Sequence, residues 1–84
     1  MYYVYVLKSE KDKKLYIGFT KDLRKRFSEH QNGMVKSTKP RRPFVLVYYE
    51  AYKSDANAKN REFQLKKGKR AYEQLKIRIN DCII

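Results

Sequence analysis

The sequence predicts a small α/β domain of the α+β kind, in which three strands are combined with helices. Three apolar runs rich in tyrosine and β-branched residues predict the strands, and they cover residues 2–7, 15–19 and 44–49. Stretches with apolar residues at helical spacing follow the second run and the third. A chain of 84 residues has room for one domain, 1–84, and for no separate recognition module.

The first two runs predict a hairpin. Residues 2–7 are apolar or aromatic without a break, which is typical of a strand buried on both faces near the centre of a sheet. The polar stretch 9–14 separates them from the second run, and this short spacing favours antiparallel pairing. Gly18 in the second strand removes a side chain where another group has to approach closely.

The first helix is predicted to begin with Thr20 as its N-cap and to end near Gly33, which provides a left-handed stop. On a helical wheel, Arg26 and His30 flank the buried stripe, so we expect both side chains to point toward the sheet. Two other interpretations remain open: a solvated helix charge for the arginine, and a capping or packing residue for the histidine.

The second half begins with a basic loop, and its cations are Lys36, Lys39, Arg41 and Arg42. The loop is either a solvated segment or a site for an anionic ligand such as nucleic acid. The third strand, 44–49, is expected to be well covered. Ser54 is expected to cap a second helix that ends at Gly68, and a last helix is predicted over 70–79.

The charge balance predicts a polyanionic partner. The chain has 21 lysines and arginines against 9 acidic residues, a formal net charge of +12. A membrane surface is the weaker alternative, because the basic residues are spread over strand ends, two helices and a loop and do not form one basic amphipathic helix. A highly charged surface without a ligand is the third alternative.

Cysteine usage and the lack of long apolar segments predict a cytoplasmic protein. Cys82 is the only cysteine, which excludes an intrachain disulfide, and one cysteine with one histidine cannot form a structural zinc site. The chain begins without a charged leader, and no segment approaches the length of a membrane span.

Glu62 is the residue of the second predicted helix that most strongly indicates a function, because this carboxylate lies on the same helical stripe as Ala58 and Leu65. Burying a carboxylate there costs free energy unless a cation, a metal or several donors accompany it. A structural ion pair, for example with Arg26, is the alternative to a metal site.

Taken in order, these residues resemble the GIY-YIG nuclease family. Tyr3-Val4-Tyr5 stands at the first family triplet, with a tyrosine in place of its glycine, and Tyr16-Ile17-Gly18 matches the second. Arg26, His30 and Glu62 match the helix arginine, the frequent histidine and the metal-binding glutamate. The chain is most similar to small stand-alone bacterial members that resemble the N-terminal nuclease domain of the bacterial excinuclease.

The resemblance implies a three-stranded antiparallel sheet flanked by helices and a divalent-metal-dependent endonuclease with little sequence specificity. It implies nucleic acid as substrate, DNA more than RNA, and a setting such as DNA repair. Glu62 would hold one Mg²⁺ or Mn²⁺, and Arg26 would neutralise charge on the phosphate. Tyr5 would accept the proton of the attacking water, with Tyr16 or His30 orienting it. Taken alone, the two tyrosines are more typical of packing.

The chain departs from the family pattern at two places. Phe19 stands where excinuclease-type members often carry a lysine, and no asparagine occurs between Glu62 and Asn80. Two rival hypotheses therefore stay open. The chain is a nucleic-acid-binding module that keeps the scaffold without turnover, or a basic domain that binds proteins.

Overall fold

The structure, a computed structural model, describes residues 1–80. Cys82, and with it the prediction about disulfides, lies outside the described residues. The main elements follow the chain in the order β1 (Tyr2–Ser9), β2 (Leu15–Thr20), α1 (Leu23–Gln31), β3 (Phe44–Tyr52), α2 (Asp55–Lys67) and α3 (Lys69–Arg78). A short 3₁₀ turn, Lys39–Arg41, interrupts the loop before β3. No helix in the described part of the chain is long and apolar enough to span a bilayer.

The three strands form one antiparallel sheet in the order β2-β1-β3, which confirms the predicted fold class and the central position of β1. Tyr5 is paired with Gly18 on one side and with Tyr49 on the other. The expectation that β3 is well covered is wrong, because Val45 and Tyr49 are 44% and 52% exposed. The physical reason is that β3 forms an edge of the sheet and the helices cover it only in part.

The alternation of side chains along β1 supplies both halves of the core. Val4 and Val6 pack on the face that α2 and α3 cover, and both are buried. Tyr5 and Leu7 point to the opposite face, where they pack with Phe44 and with apolar residues of α1. The face that buries Tyr5 is therefore the face that α1 approaches.

The helix ends follow local hydrogen bonds. Thr20 is not the N-cap of α1; Asp22 is, and its carboxylate accepts a hydrogen bond from the backbone N–H of Lys25 at 3.1 Å. The Thr20 hydroxyl instead accepts a hydrogen bond from the N–H of Asp22, also at 3.1 Å. Gly33 has a φ of +74° and confirms the predicted left-handed stop. Ser54 caps α2 as predicted.

Candidate active site

Tyr5 reaches the edge of the sheet because its neighbour on β2 is a glycine. A Cβ added at Gly18 would overlap both the ring carbon Cζ and the hydroxyl of Tyr5. The phenol therefore lies across the backbone of β2 in space that any larger residue would fill. This confirms the close approach predicted at Gly18.

The Tyr5 hydroxyl forms a hydrogen bond with His30. The oxygen lies 2.8 Å from Nε2, and both side chains are buried. The ring of Tyr16 packs edge-on against the imidazole, with 5.1 Å between centroids. The prediction that His30 points toward the sheet is confirmed, and burial lowers the pKa of its imidazole, with the nearby Arg26 charge acting in the same direction.

Thr38 extends the hydrogen bonding of Tyr5 and His30 by one more side chain. Its hydroxyl oxygen lies 2.8 Å from Nδ1 of His30, and the residue is fully buried although it belongs to the basic loop. Sequence reasoning missed it. A threonine in a polar loop carries no periodic signal, and only the path of the loop shows that this side chain turns inward.

Arg26 extends from α1 toward the same phenol. Burial raises the pKa of Tyr5 to about 12, while hydrogen bonding and charge from the Arg26 guanidinium lower it by a smaller amount. Tyr5 is therefore protonated at neutral pH in this structure. Arg26 also pairs with Glu29, at 3.2 Å between Nη1 and Oε1, and its side chain is partly open to solvent.

Glu62 lies on α2, close enough to the Tyr5 phenol for its charge to act on that group. Its negative charge contributes to raising the pKa of Tyr5, and its side chain is 23% exposed. Its carboxylate lies 3.1 Å from the ammonium of Lys66, one turn along the helix. Lys66 also lies 5.9 Å from the centroid of the Tyr16 ring. Lys66 thus takes the place of Arg26 in the ion pair considered as an alternative for Glu62.

The residues around Glu62 fit a divalent ion only if the protein supplies few of its ligands. Residues 1–80 contain no group of three or more histidines, cysteines and carboxylates that could hold a metal together. Mg²⁺ is commonly bound through one or two carboxylates plus water and substrate phosphate oxygens. The partly exposed carboxylate of Glu62 fits an ion that arrives with a phosphate, and does not fit an all-protein metal site.

The four cations predicted to bind nucleic acid divide into two groups. Lys36 and Lys39 are exposed. Arg41 instead fixes the loop, because its Nε donates to Asp12 Oδ2 at 2.7 Å. Arg42 donates to the backbone carbonyl of Lys39 at 3.0 Å. The exposed lysines are therefore the cations of this loop that are most open to a ligand.

A cleft of about 720 Å³ opens beside this loop. Four of its lining residues carry a positive charge, and they are Lys11, Lys36, Lys39 and Arg42. Lys11 comes from the turn between β1 and β2, so cations from two separate segments line one cleft. Sequence reasoning missed Lys11, because nothing local indicates that the turn and the loop meet.

Comparison with known proteins matches the sequence of this chain to a family. The model of the GIY-YIG catalytic domain matches residues 1–76. A UPF0213 protein of Clostridium perfringens is 46% identical over 68 residues, 80% of this chain and 72% of that protein. A UPF0213 protein of Staphylococcus saprophyticus is 44% identical over 66 residues, which are 77% of this chain and 79% of that protein. The solution NMR structure of a UPF0213 protein from Bacillus halodurans is 37% identical and covers 89% of this chain and 82% of its own, with a TM-score of 0.56.

Proposed function

We propose that this chain, which belongs to the GIY-YIG catalytic domain family, is a divalent-metal-dependent endonuclease that hydrolyses phosphodiester bonds in nucleic acid, DNA in preference to RNA. One observation carries the proposal. A buried tyrosine that is hydrogen-bonded to the only histidine lies close enough to an arginine of α1 and a carboxylate of α2 for their charges to act on its pKa. These groups can supply water activation and charge neutralisation at a phosphate.

The proton path runs through Tyr5 to His30. Because the pKa of Tyr5 is about 12, the phenol acts in its neutral form and not as a resident phenolate. As water attacks phosphorus, its proton passes to the Tyr5 oxygen while the phenolic proton moves to Nε2 of His30, 2.8 Å away. The lowered pKa keeps His30 neutral at neutral pH, so the lone pair of Nε2 can take the proton, and it also makes the imidazole a weaker base than a free histidine.

In this proposal, Arg26 stabilises negative charge on the phosphate and Glu62 binds the metal ion. The Arg26 guanidinium stabilises the negative charge that builds on the phosphate oxygens. Glu62, with water and phosphate oxygens, would hold Mg²⁺ or Mn²⁺. When bound, the ion supplies charge stabilisation to the departing oxygen. Glu62 has to give up its ion pair with Lys66, a partly exposed interaction that costs little to break.

Substrate binding is assigned to the cleft lined by Lys11, Lys36, Lys39 and Arg42. Lysine and arginine contacts with phosphates carry no sequence information by themselves. The proposed enzyme therefore cleaves with little sequence preference. The net charge of +12 supports attraction to nucleic acid of either kind.

Metal-dependent nicking of supercoiled plasmid by the purified protein tests the proposal. We expect cleavage by the wild type and by Glu73→Gln, a matched control that neutralises an exposed carboxylate of α3. Glu62→Gln is expected to bind DNA as well as the wild type and to cleave none, because losing a negative charge does not weaken attraction to phosphates. Cleavage that persists in excess chelator, or a wild-type rate in Glu62→Gln, contradicts the metal role of Glu62.

One observation favours a second function, a binding module without turnover. Lys66 already neutralises the carboxylate that would hold the ion. Salt-sensitive DNA binding without nicking at any Mg²⁺ or Mn²⁺ concentration would select this function. Absence of any salt-dependent affinity for nucleic acid would instead favour a protein partner.

A further inference from the structure

Thr38 occupies an unusual position for a loop residue. It is fully buried, and its hydroxyl lies between two groups, Nδ1 of His30 at 2.8 Å and the backbone carbonyl of Val35 at 3.4 Å. The backbone N–H of Thr38 also donates to the same carbonyl, at 3.1 Å. The residue is thus held at both its backbone and its side chain.

The hydroxyl proton of Thr38 decides which nitrogen of His30 carries a hydrogen. A carbonyl oxygen only accepts, so a hydroxyl that donates to Val35 must accept from His30. In that case Nδ1 carries the hydrogen, and Nε2 presents its lone pair to the Tyr5 hydroxyl.

The needs of Tyr5 point to the same tautomer. A buried phenolic O–H without an acceptor costs about 1–3 kcal/mol. Within residues 1–80, Nε2 of His30 is the acceptor placed within hydrogen-bonding distance of that hydroxyl, since Arg26 can only donate. Both hydrogen-bond partners of His30, Thr38 and Tyr5, therefore favour a hydrogen on Nδ1.

We propose that Thr38 is a positioning residue that holds His30 in the Nδ1–H tautomer, so that Nε2 can accept the Tyr5 proton. The catalytic part of this inference rests on the proposed nuclease function, whereas the tautomer itself does not. Thr38 lies between Lys36 and Lys39, two residues that line the basic cleft. The segment that contacts substrate phosphates therefore also orients the proton acceptor.

The test uses the fact that His30 is the only histidine. Long-range ¹H–¹⁵N spectra of uniformly labelled protein then report its tautomer without ambiguity, with no substrate or metal present. We expect Nδ1–H in the wild type. Thr38→Val keeps the shape and removes the hydroxyl, and it is expected to shift the imidazole toward Nε2–H because a buried Nδ1–H would lack an acceptor.

Cleavage rates complete the test. Thr38→Val is expected to cleave about tenfold more slowly, the size of one lost hydrogen bond, while Thr38→Ser restores both the tautomer and the rate. Ser37→Ala, which removes the neighbouring exposed hydroxyl, should change neither. An Nε2–H signal in the wild type would overturn the inference even if Thr38→Val fails to fold. An unchanged tautomer in a folded Thr38→Val would do the same. Absence of cleavage by the wild type with the Nδ1–H tautomer present would overturn only the nuclease function.

Discussion

The ammonium group of Lys66 lies 3.1 Å from the carboxylate of Glu62, the residue to which we assign the metal. The two residues are one helical turn apart on α2, and the lysine side chain is 44% exposed. An exposed pair of this kind contributes about 0.2–1 kcal/mol. Lys66 is thus a weak internal competitor for the carboxylate that a divalent ion has to reach.

Removing this competitor should strengthen metal binding. Lys66→Gln is expected to lower the Mg²⁺ concentration for half-maximal cleavage by about 1.4- to fivefold, the range that the free energy of an exposed pair allows. Cleavage rates measured across Mg²⁺ concentrations check this, with Lys67→Gln as the control that loses the same charge from a neighbouring exposed position. A higher Mg²⁺ requirement in Lys66→Gln would instead indicate that Lys66 contacts the substrate.

The Tyr5 hydroxyl should be needed for the chemical step and not for folding. Tyr5→Phe keeps the buried ring and removes the group that contacts His30, so single-turnover cleavage is expected to slow by about 10²-fold or more. The measurement is the cleavage rate against pH for both proteins. A rate within about threefold of the wild type, with the same pH profile, would show that Tyr5 has only a packing role and that another group transfers the proton.

Gly18 should tolerate no side chain. The Cβ of Gly18→Ala overlaps the Tyr5 ring at its hydroxyl end, so the phenol must move away from His30. We expect a loss of about 1–3 kcal/mol in the free energy of unfolding, as for other overpacked sites, together with a loss of cleavage. Urea unfolding and plasmid nicking measure the two effects. Wild-type stability and activity in this variant would show that the sheet yields at this point.

Stability should fall in mild acid because of His30. Burial holds its folded pKa below the ordinary value of about 6.5, so the unfolded chain binds more protons as the pH falls. The stabilisation is fully present above about pH 6.5 and is lost as the pH falls toward the folded pKa. We expect the free energy of unfolding to drop between pH 7.5 and 5 in the wild type and to change less in His30→Gln. Parallel curves for the two proteins would contradict this assignment.

Nucleic-acid binding should depend steeply on salt. With about five phosphate contacts, the slope of log affinity against log salt is expected near −4.5 on duplex DNA. Replacing Lys36 and Lys39 by glutamine should make the slope shallower by about two. Replacing Lys69 and Arg70 at the start of α3 removes the same charge elsewhere and serves as the control. Equal slopes for the two double variants would place the DNA outside the cleft.

Local sequence signals predicted the elements and the part of the site that lies on them. Continuous apolar runs predicted the strands, and the wheel position of His30 placed it facing the sheet, where it contacts Tyr5. These predictions succeed because the direction of a side chain on a helix or strand follows from its period.

Features that depend on tertiary placement were not predictable in this way. Thr38 and Lys11 lie in a loop and a turn, whose paths have no sequence period. Arg41 is a loop cation like its neighbours, and only the proximity of Asp12 makes it a structural anchor. Burial raises the pKa of Tyr5 more than Arg26 lowers it, and burial depends on the packing of the whole domain.

The edge position of β3 affects how copies of the protein associate in solution. Within residues 1–80, β3 pairs with β1 alone, and beyond Phe44, whose backbone groups bond the Gln31 side chain, its outer side can pair with a second copy. A net charge of +12 keeps copies apart in solution. DNA that neutralises this charge removes the repulsion. Mixtures near charge equivalence should therefore become turbid, and they should clear again when DNA is in excess or when salt dissociates the complex.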